Sequence, residues 1–361
     1  MKQNIGPEYN RSFFRYVLIA VIIFLITNHD FIFRKKEQVI EWQDEALGYV
    51  IKYNMGIPEN ADVSVHQANT FKVYTKYGFP GNPALILDGK NIKRLDDLQY
   101  FISLDSLTIR NTGVTDFRPL ESMDELMWLS IDGCEEANLE AIGRLKELVG
   151  LKLKNMPDAV IPLLEDLTSL EYLSLDGMSL DSISSMGWLA RLSNLELKNT
   201  DVKKTSGLSM YWSLYSLKLE HCPIEVLPKL SGSLNNLELR STYVRDLSIL
   251  PSGIRCVEIG NNDIEFQTLN GLDKLSDLRI YASDLGDTGK VICFPELMSL
   301  TVSNCNLEKF DFVKGPVLRD LDLSGNKLKN INEIQNLETV INLNLSYNEI
   351  SDLKDWKEPK I

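Results

Sequence analysis

Leu104-Asp-Ser-Leu107-Thr-Ile109, Leu126-Met-Trp-Leu129-Ser-Ile131 and Leu148-Val-Gly-Leu151-Lys-Leu153 are three successive copies of Leu-x-x-Leu-x-Leu, each 22 residues after the last. The unit continues in both directions. Its middle aliphatic residue recurs as Leu85, Leu107, Leu129, Leu151, Leu173, Leu195 and Leu217 at a fixed step of 22, then as Leu237, Val257, Leu278, Leu300, Leu321 and Leu343 at steps of 20 to 22. Another aliphatic stands two residues after each of the thirteen. One also stands three residues before each, except in the first unit, where Asn82 breaks the column.

Side chains alternate across an extended segment, so the last two apolar residues of the unit point to one side. A lone strand cannot bury them, but the next copy stacked beside it can. An uninterrupted period of 20 to 22 residues therefore predicts a repeat array with a core running along its length. Copies joined in one direction by returning arms lie parallel, giving about 60 Å of sheet at roughly 4.8 Å per strand. Five residues after the reference position comes a column of small or polar types suited to a buried turn: Thr112, Cys134, Thr200, Cys222, Thr242, Asn262, Ser283, Cys305, Asn326 and Asn348. Two residues further is a mostly aliphatic column, interrupted by Glu136 and Asp158.

Thr112-Gly-Val114-Thr-Asp116-Phe117-Arg-Pro-Leu120 and Asn348-Glu-Ile350-Ser-Asp352-Leu353 complete a consensus. The chain resembles a leucine-rich repeat protein of the 22-residue class found in bacterial internalins and phosphatase-regulatory proteins. The resemblance covers about three quarters of the 361 residues. It implies an α/β solenoid of about thirteen parallel strands, curved to present a binding face, but no particular ligand. The immunoglobulin-like module and wall-sorting signal usual in internalins are not found in the sequence, so host-cell adhesion is not expected.

Four segments are expected. Residues 1–36 read as a cytoplasmic tail plus a transmembrane signal anchor, because Phe13 to Phe33 is apolar enough to span a membrane and Thr27-Asn28-His29 offers no small-residue cleavage site. This adds an N-terminal transmembrane helix to the fold, with the membrane contacted through residues 13–33. Its short N-terminal flank favours a single-pass protein whose repeats lie in a periplasm or outside the cell. Residues 37–81 read as a linker and N-terminal cap, with loose helical periodicity from Val39 to Tyr53 and strand-like alternation from Phe71 to Tyr77. Residues 82–354 hold the repeats, and 355–361 form a short tail.

A net charge of −13 and a pI near 4.9 argue against nucleic acid as a partner, since phosphate binding needs a basic face. Cys134 and Cys222 share a column four repeats apart, roughly 19 Å by strand spacing, too far for a disulfide. Three histidines give no metal-ligand set, and the Asp-Gly pairs at 88, 132 and 176 read as turn chemistry. No nucleophile-base-acid constellation or phosphate-binding loop is present, so neither catalysis nor a cofactor is expected.

Residues flanking the core aliphatics face the concave side. Trp128 and Tyr172, two strands or roughly 10 Å apart, form an exposed aromatic pair better suited to partner contact than to folding. With Lys152, Glu196, Lys218, Glu238 and Arg279 they make up the candidate binding set. The charges alternate in sign, so they either pair across strands or meet a complementary protein. The reading is a membrane-anchored, non-catalytic scaffold that binds a protein partner. One alternative is a cytoplasm-facing regulatory subunit that tethers an enzyme such as a phosphatase to the membrane. Another is a structural role with self-association at the last repeat.

Overall fold

The computed structural model describes residues 37–73, 84–134, 138–187, 189–332 and 338–351. Its strands, in chain order, are β1 (Leu85–Asp88), β2 (Ser106–Arg110), β3 (Trp128–Asp132), β4 (Gly150–Lys154), β5 (Tyr172–Asp176), β6 (Asn194–Lys198), β7 (Ser216–Glu220), β8 (Asn236–Arg240), β9 (Cys256–Gly260), β10 (Asp277–Tyr281), β11 (Ile292–Cys293), β12 (Ser299–Ser303), β13 (Val313–Lys314), β14 (Asp320–Asp322) and β15 (Asn342–Asn344). All but β11 and β13 form one thirteen-stranded sheet in sequence order. Every pairing in it is parallel, with each strand beside the next copy of itself.

The register follows the repeat. Leu85 faces Leu107, Leu107 faces Leu129, and so on through the shorter step, where Leu217 faces Leu237. A 20-residue unit thus shortens the returning arm and leaves the ladder in phase. From β1 to β14 both inward residues of each sheet strand are at most 2% exposed. In the last unit Leu343 and Leu345 are only half-buried.

The arms return mainly through short 3-10 turns, among them Asp96–Tyr100, Arg118–Ser122, Asp158–Asp166 and Ser206–Met210. A 3-10 helix rises about 2.0 Å per residue against about 1.5 Å for an α-helix, so it spans the layer with fewer residues. This suits a 22-residue period. In the later arms Phe266, Phe294, Phe310 and Phe312 fill the space edge to face, with centroids as close as 5.0 Å.

Each strand exits through one sharp backbone feature. In twelve of the thirteen units the residue four places after the reference aliphatic has φ between 47° and 77°. Glycine and asparagine tolerate this left-handed conformation best, which accounts for Asn111, Gly133, Asn155, Gly177, Asn199, Asn261, Asn304 and Gly325 at these places. The buried column one residue further then links neighbouring arms. Thr242 N–H donates to Asn262 Oδ1 at 2.9 Å, Asn262 N–H to Ser283 Oγ at 3.1 Å, and Cys305 N–H to Asn326 Oδ1 at 2.9 Å.

At the N-terminal end α1 (Glu45–Met55) is capped by Asp44, whose Oδ1 accepts from Leu47 N–H, and ends on left-handed Gly56. α2 (Val65–Thr70) starts with a Ser64–Gln67 capping box. The Asn54 side chain donates to Ile86 O at 3.2 Å, so α1 satisfies part of the otherwise open edge of β1. Two carboxylates tie this region to the first arm. Asp44 Oδ2 accepts from Lys93 N–H at 2.7 Å and Arg94 N–H at 3.0 Å, and Asp97 Oδ2 from Gln43 N–H at 2.8 Å. α3 (Glu140–Gly143) is a single turn in the third arm.

The expected transmembrane helix needs correction. Among the described residues no helix is long and apolar enough to cross a membrane, and residues 13–33, on which that expectation rested, lie outside them. The described residues thus hold no membrane helix, and the single-pass placement of the repeats in a periplasm or outside the cell is not supported. The strand expected over residues 71–77 is not found at 71–73, and 74–77 lie outside the described residues.

Candidate functional site on the concave sheet

Inward residues of the sheet are consumed by the core, so three outward columns remain: one place before, one after and three after each reference aliphatic. Their chemistry changes along the array. The centre, from β6 to β10, is a ribbon of opposite charges joined within and between strands. Lys198 lies 3.6 Å from Glu196 and 3.9 Å from Glu220. Lys218 lies 3.8 Å from Glu220 and 2.6 Å from Glu238, whose carboxylate also meets Arg240 at 2.6 Å. Arg240 reaches on to Glu258, and Arg279 bridges Glu258 at 3.6 Å and Asp277 at 2.7 Å.

Much of the ribbon is half-buried. Desolvation pushes the Glu258 carboxyl up, but the Arg240 and Tyr281 hydrogen bonds and the Arg279 charge outweigh it and hold the group below its ordinary value. Tyr281 O–H donates to Glu258 at 3.2 Å, and its ring lies 5.7 Å from the Arg240 guanidinium. Burial beside these groups pushes its phenol up to about 12. The ring occupies this place because Gly260 on the adjoining strand has no Cβ, which would fall 2.2 Å from Tyr281 Cε2.

The same device operates at the aromatic pair. Trp128 on β3 and Tyr172 on β5 flank Gly150 on β4 in one register row. A Cβ on Gly150 would fall 2.1 Å from Trp128 Cζ3, so the missing side chain is the space the indole fills. The rings meet with centroids 5.7 Å apart at 43°, closer than the roughly 10 Å of their strands. Tyr172 is not exposed as the sequence suggested. It is 9% exposed, and burial, with Glu196 next, pushes its phenol far up. Trp128 remains half-exposed above it.

Of the seven expected contact residues, the structure brings Trp128, Lys152 and Tyr172 together on β3–β5. Glu196, Lys218, Glu238 and Arg279 belong to the self-paired ribbon. Lys152 is exposed and sits in register between Ser130 and Ser174, with no ion partner among the described residues. Ser174 is fully buried and lies 3.4 Å from Glu196.

The Asp-Gly pairs acquire a second role beyond turning the chain. Asp88, Asp132 and Asp176 accept from Asn111, Asn155 and Asn199 of the following units at 3.1, 3.0 and 2.6 Å. Arg110 and Lys154 also pair with Asp88 and Asp132 at 2.8 and 3.5 Å. Gly150 and Gly260 were the signal missed in the sequence, since a glycine inside a strand marks the close approach of another group. Among the described residues no group of three or more His, Cys, Asp or Glu side chains is arranged to hold a metal ion.

No family model matches the sequence, and no curated protein matches it. Solved structures do. An internalin (inlF) from Listeria monocytogenes superposes with a TM-score of 0.57 at 19% identity, covering 86% of this chain and 91% of its own. A second internalin from that organism, inlC2, gives 0.50 at 20% identity over 66% and 93%. TLR13, solved as a complex with ssRNA13, gives 0.54 at 17% identity over 72% of this chain and 45% of its own. Identities this low establish fold alone. Repeat period, sheet register and neighbours agree on a leucine-rich repeat fold, a solenoid with a sheet of thirteen parallel strands among the described residues.

Proposed function

We propose that the protein is a non-catalytic scaffold that binds a protein partner through its concave sheet, centred on Trp128, Lys152 and Tyr172. One observation carries the reading. The indole is seated on a strand glycine and a buried tyrosine, and stays half-exposed on the same surface as Lys152, which has no ion partner among the described residues. Rigid aromatics on a preformed support lose little entropy on binding and are enriched among the residues that dominate interfaces. The mouse RP105/MD-1 complex, which matches at a TM-score of 0.50, is an assembly of a similar solenoid. The RNA complex of TLR13 is a counter-example, and the charge of −13 speaks against such a ligand here.

Site-specific photo-crosslinking in the cells that make the protein tests this. A photoreactive residue at position 130 or 152 is expected to yield one discrete protein adduct, and the same residue in place of Lys229 on a returning arm is expected to yield none. Equal adducts from both surfaces, or adducts from the arm alone, would overturn the proposal.

A further inference from the structure

The electrostatics of the concave face point to a particular partner chemistry, on the footing of the binding surface just proposed. On β2 to β10 every other basic side chain of this face has an anionic neighbour. Arg110 has Asp88 at 2.8 Å, Lys154 has Asp132 at 3.5 Å, Lys198 has Glu196 at 3.6 Å, Lys218 has Glu238 at 2.6 Å, Arg240 has Glu238 at 2.6 Å and Arg279 has Asp277 at 2.7 Å. Lys152 alone among them has none within the described residues. Covering the ribbon would desolvate charges already paired and give no new pairing in return. Covering Lys152 with a carboxylate supplies the missing charge.

The position of the indole sets the spacing. Trp128 lies over Gly150, which is two residues before Lys152 on the same strand. Indole and lysine stem are therefore separated by two parallel-strand residues, roughly 6.6 Å. That is also the distance between alternate side chains of an extended peptide on one face. Backbone groups in the middle of this sheet are taken up by its own ladder, so recognition must come through side chains.

We propose that the occupant is an extended protein segment carrying an acidic and an apolar residue separated by one position. Its carboxylate lies on Lys152, and its apolar side chain lies on Trp128.

The test uses the full-length protein and three acetylated, amidated peptides: Ser-Gly-Phe-Ser-Glu-Gly-Ser, its Glu→Gln form and its Glu→Lys form. Binding is measured by calorimetry at low and moderate salt. The acidic peptide is expected to bind about tenfold more tightly than the glutamine form, with the advantage shrinking as salt rises. Lys152→Gln should erase the discrimination without changing the fold, and Lys152→Glu should turn it toward the lysine peptide. Equal binding of the three peptides, a preference that survives Lys152→Gln, or no binding even at about millimolar peptide would overturn the proposed chemistry. The underlying surface is judged separately with Trp128→Ala. If peptides bind without charge preference and are lost in that variant, the surface stands and the acidic partner does not. Peptides that bind Trp128→Ala unchanged would remove both.

Discussion

Replacing Gly150 with Ala perturbs the candidate surface without removing any of its functional groups. The new Cβ would lie 2.1, 2.2 and 2.5 Å from three atoms of the Trp128 ring, far inside any contact distance, so the indole has to leave its seat. The backbone at position 150 is not in the left-handed region, so alanine itself introduces no strain there. Losing the 5.7 Å contact with Tyr172 costs about 0.5–1.5 kcal/mol. Exchanging a strand glycine for alanine returns about 0.5–1 kcal/mol. The apolar area newly exposed on the displaced indole and on Tyr172 adds to the first term, so a net loss of about 1–3 kcal/mol is expected while the surface is rebuilt. Fluorine NMR of 5-fluorotryptophan-labelled protein reads the movement directly, with the Trp128 resonance assigned from its loss in Trp128→Phe. That resonance is expected to move toward the position of a solvated indole. The displaced ring should also uncover Tyr172, letting its phenol fall toward the ordinary value because burial is the largest cause of its elevation. A Trp128 resonance that stays in place in Gly150→Ala would refute the seating argument, and with it the geometry assigned to the surface.

Other expectations follow from the backbone, the ribbon and the thiols. Ala282 is exposed with φ at 48°, so Ala282→Gly should stabilise by about 0.5–1 kcal/mol, the left-handed penalty of about 1–2 less the glycine entropy; a lower denaturation midpoint would contradict this. Glu258→Gln should destabilise by about 1–2 kcal/mol, since two arginines and a tyrosine converge on a carboxylate only 23% exposed. Because the folded protein holds that carboxyl below its ordinary 4.5, its contribution is fully present above pH 4.5 and is lost as pH falls through the folded value. Urea titrations of the variant should therefore show a flatter acid limb than the parent, and parallel curves would count against the ribbon's role. Cys293 is exposed and should react with a thiol reagent at once, and half-buried Cys256 more slowly. Buried Cys134, Cys222 and Cys305, whose thiols burial pushes up, should react only on unfolding. Rapid labelling of all five would show that the arms open.

The repeat array was legible because its signal is redundant. Thirteen copies of one apolar spacing specify a parallel ladder, and the pairing of Leu85 with Leu107 or Leu217 with Leu237 follows from the spacing alone. The left-handed column was hidden, because Asn, Gly, His221, Ser241, Ala282 and Tyr347 share a backbone angle and no side-chain property. Strand alternation puts the aromatic pair on the outward face but does not set how deeply it is buried. Whether Trp128 stands up or lies down depends on a residue 22 positions away, through the absent Cβ of Gly150. The alternating charges allowed either mutual pairing or a partner, and only side-chain distances show that Glu196, Lys218, Glu238 and Arg279 are paired while Lys152 is left over. Apolar composition is common to membrane spans and core elements, so residues 13–33 do not by themselves specify a span, and no described helix is long and apolar enough to make one.

Partner recognition is proposed to reside in the β3–β5 surface and not in the charged ribbon. It is tested most directly by measuring the affinity of the crosslinked partner, once identified, for two double variants of equal size. Trp128→Ala/Lys152→Gln removes the surface, and Lys218→Gln/Glu238→Gln removes a neutral pair from the ribbon. A loss on the order of a hundredfold is expected for the first and of less than about threefold for the second, with both variants folded. The reverse order, or equal losses, would contradict it.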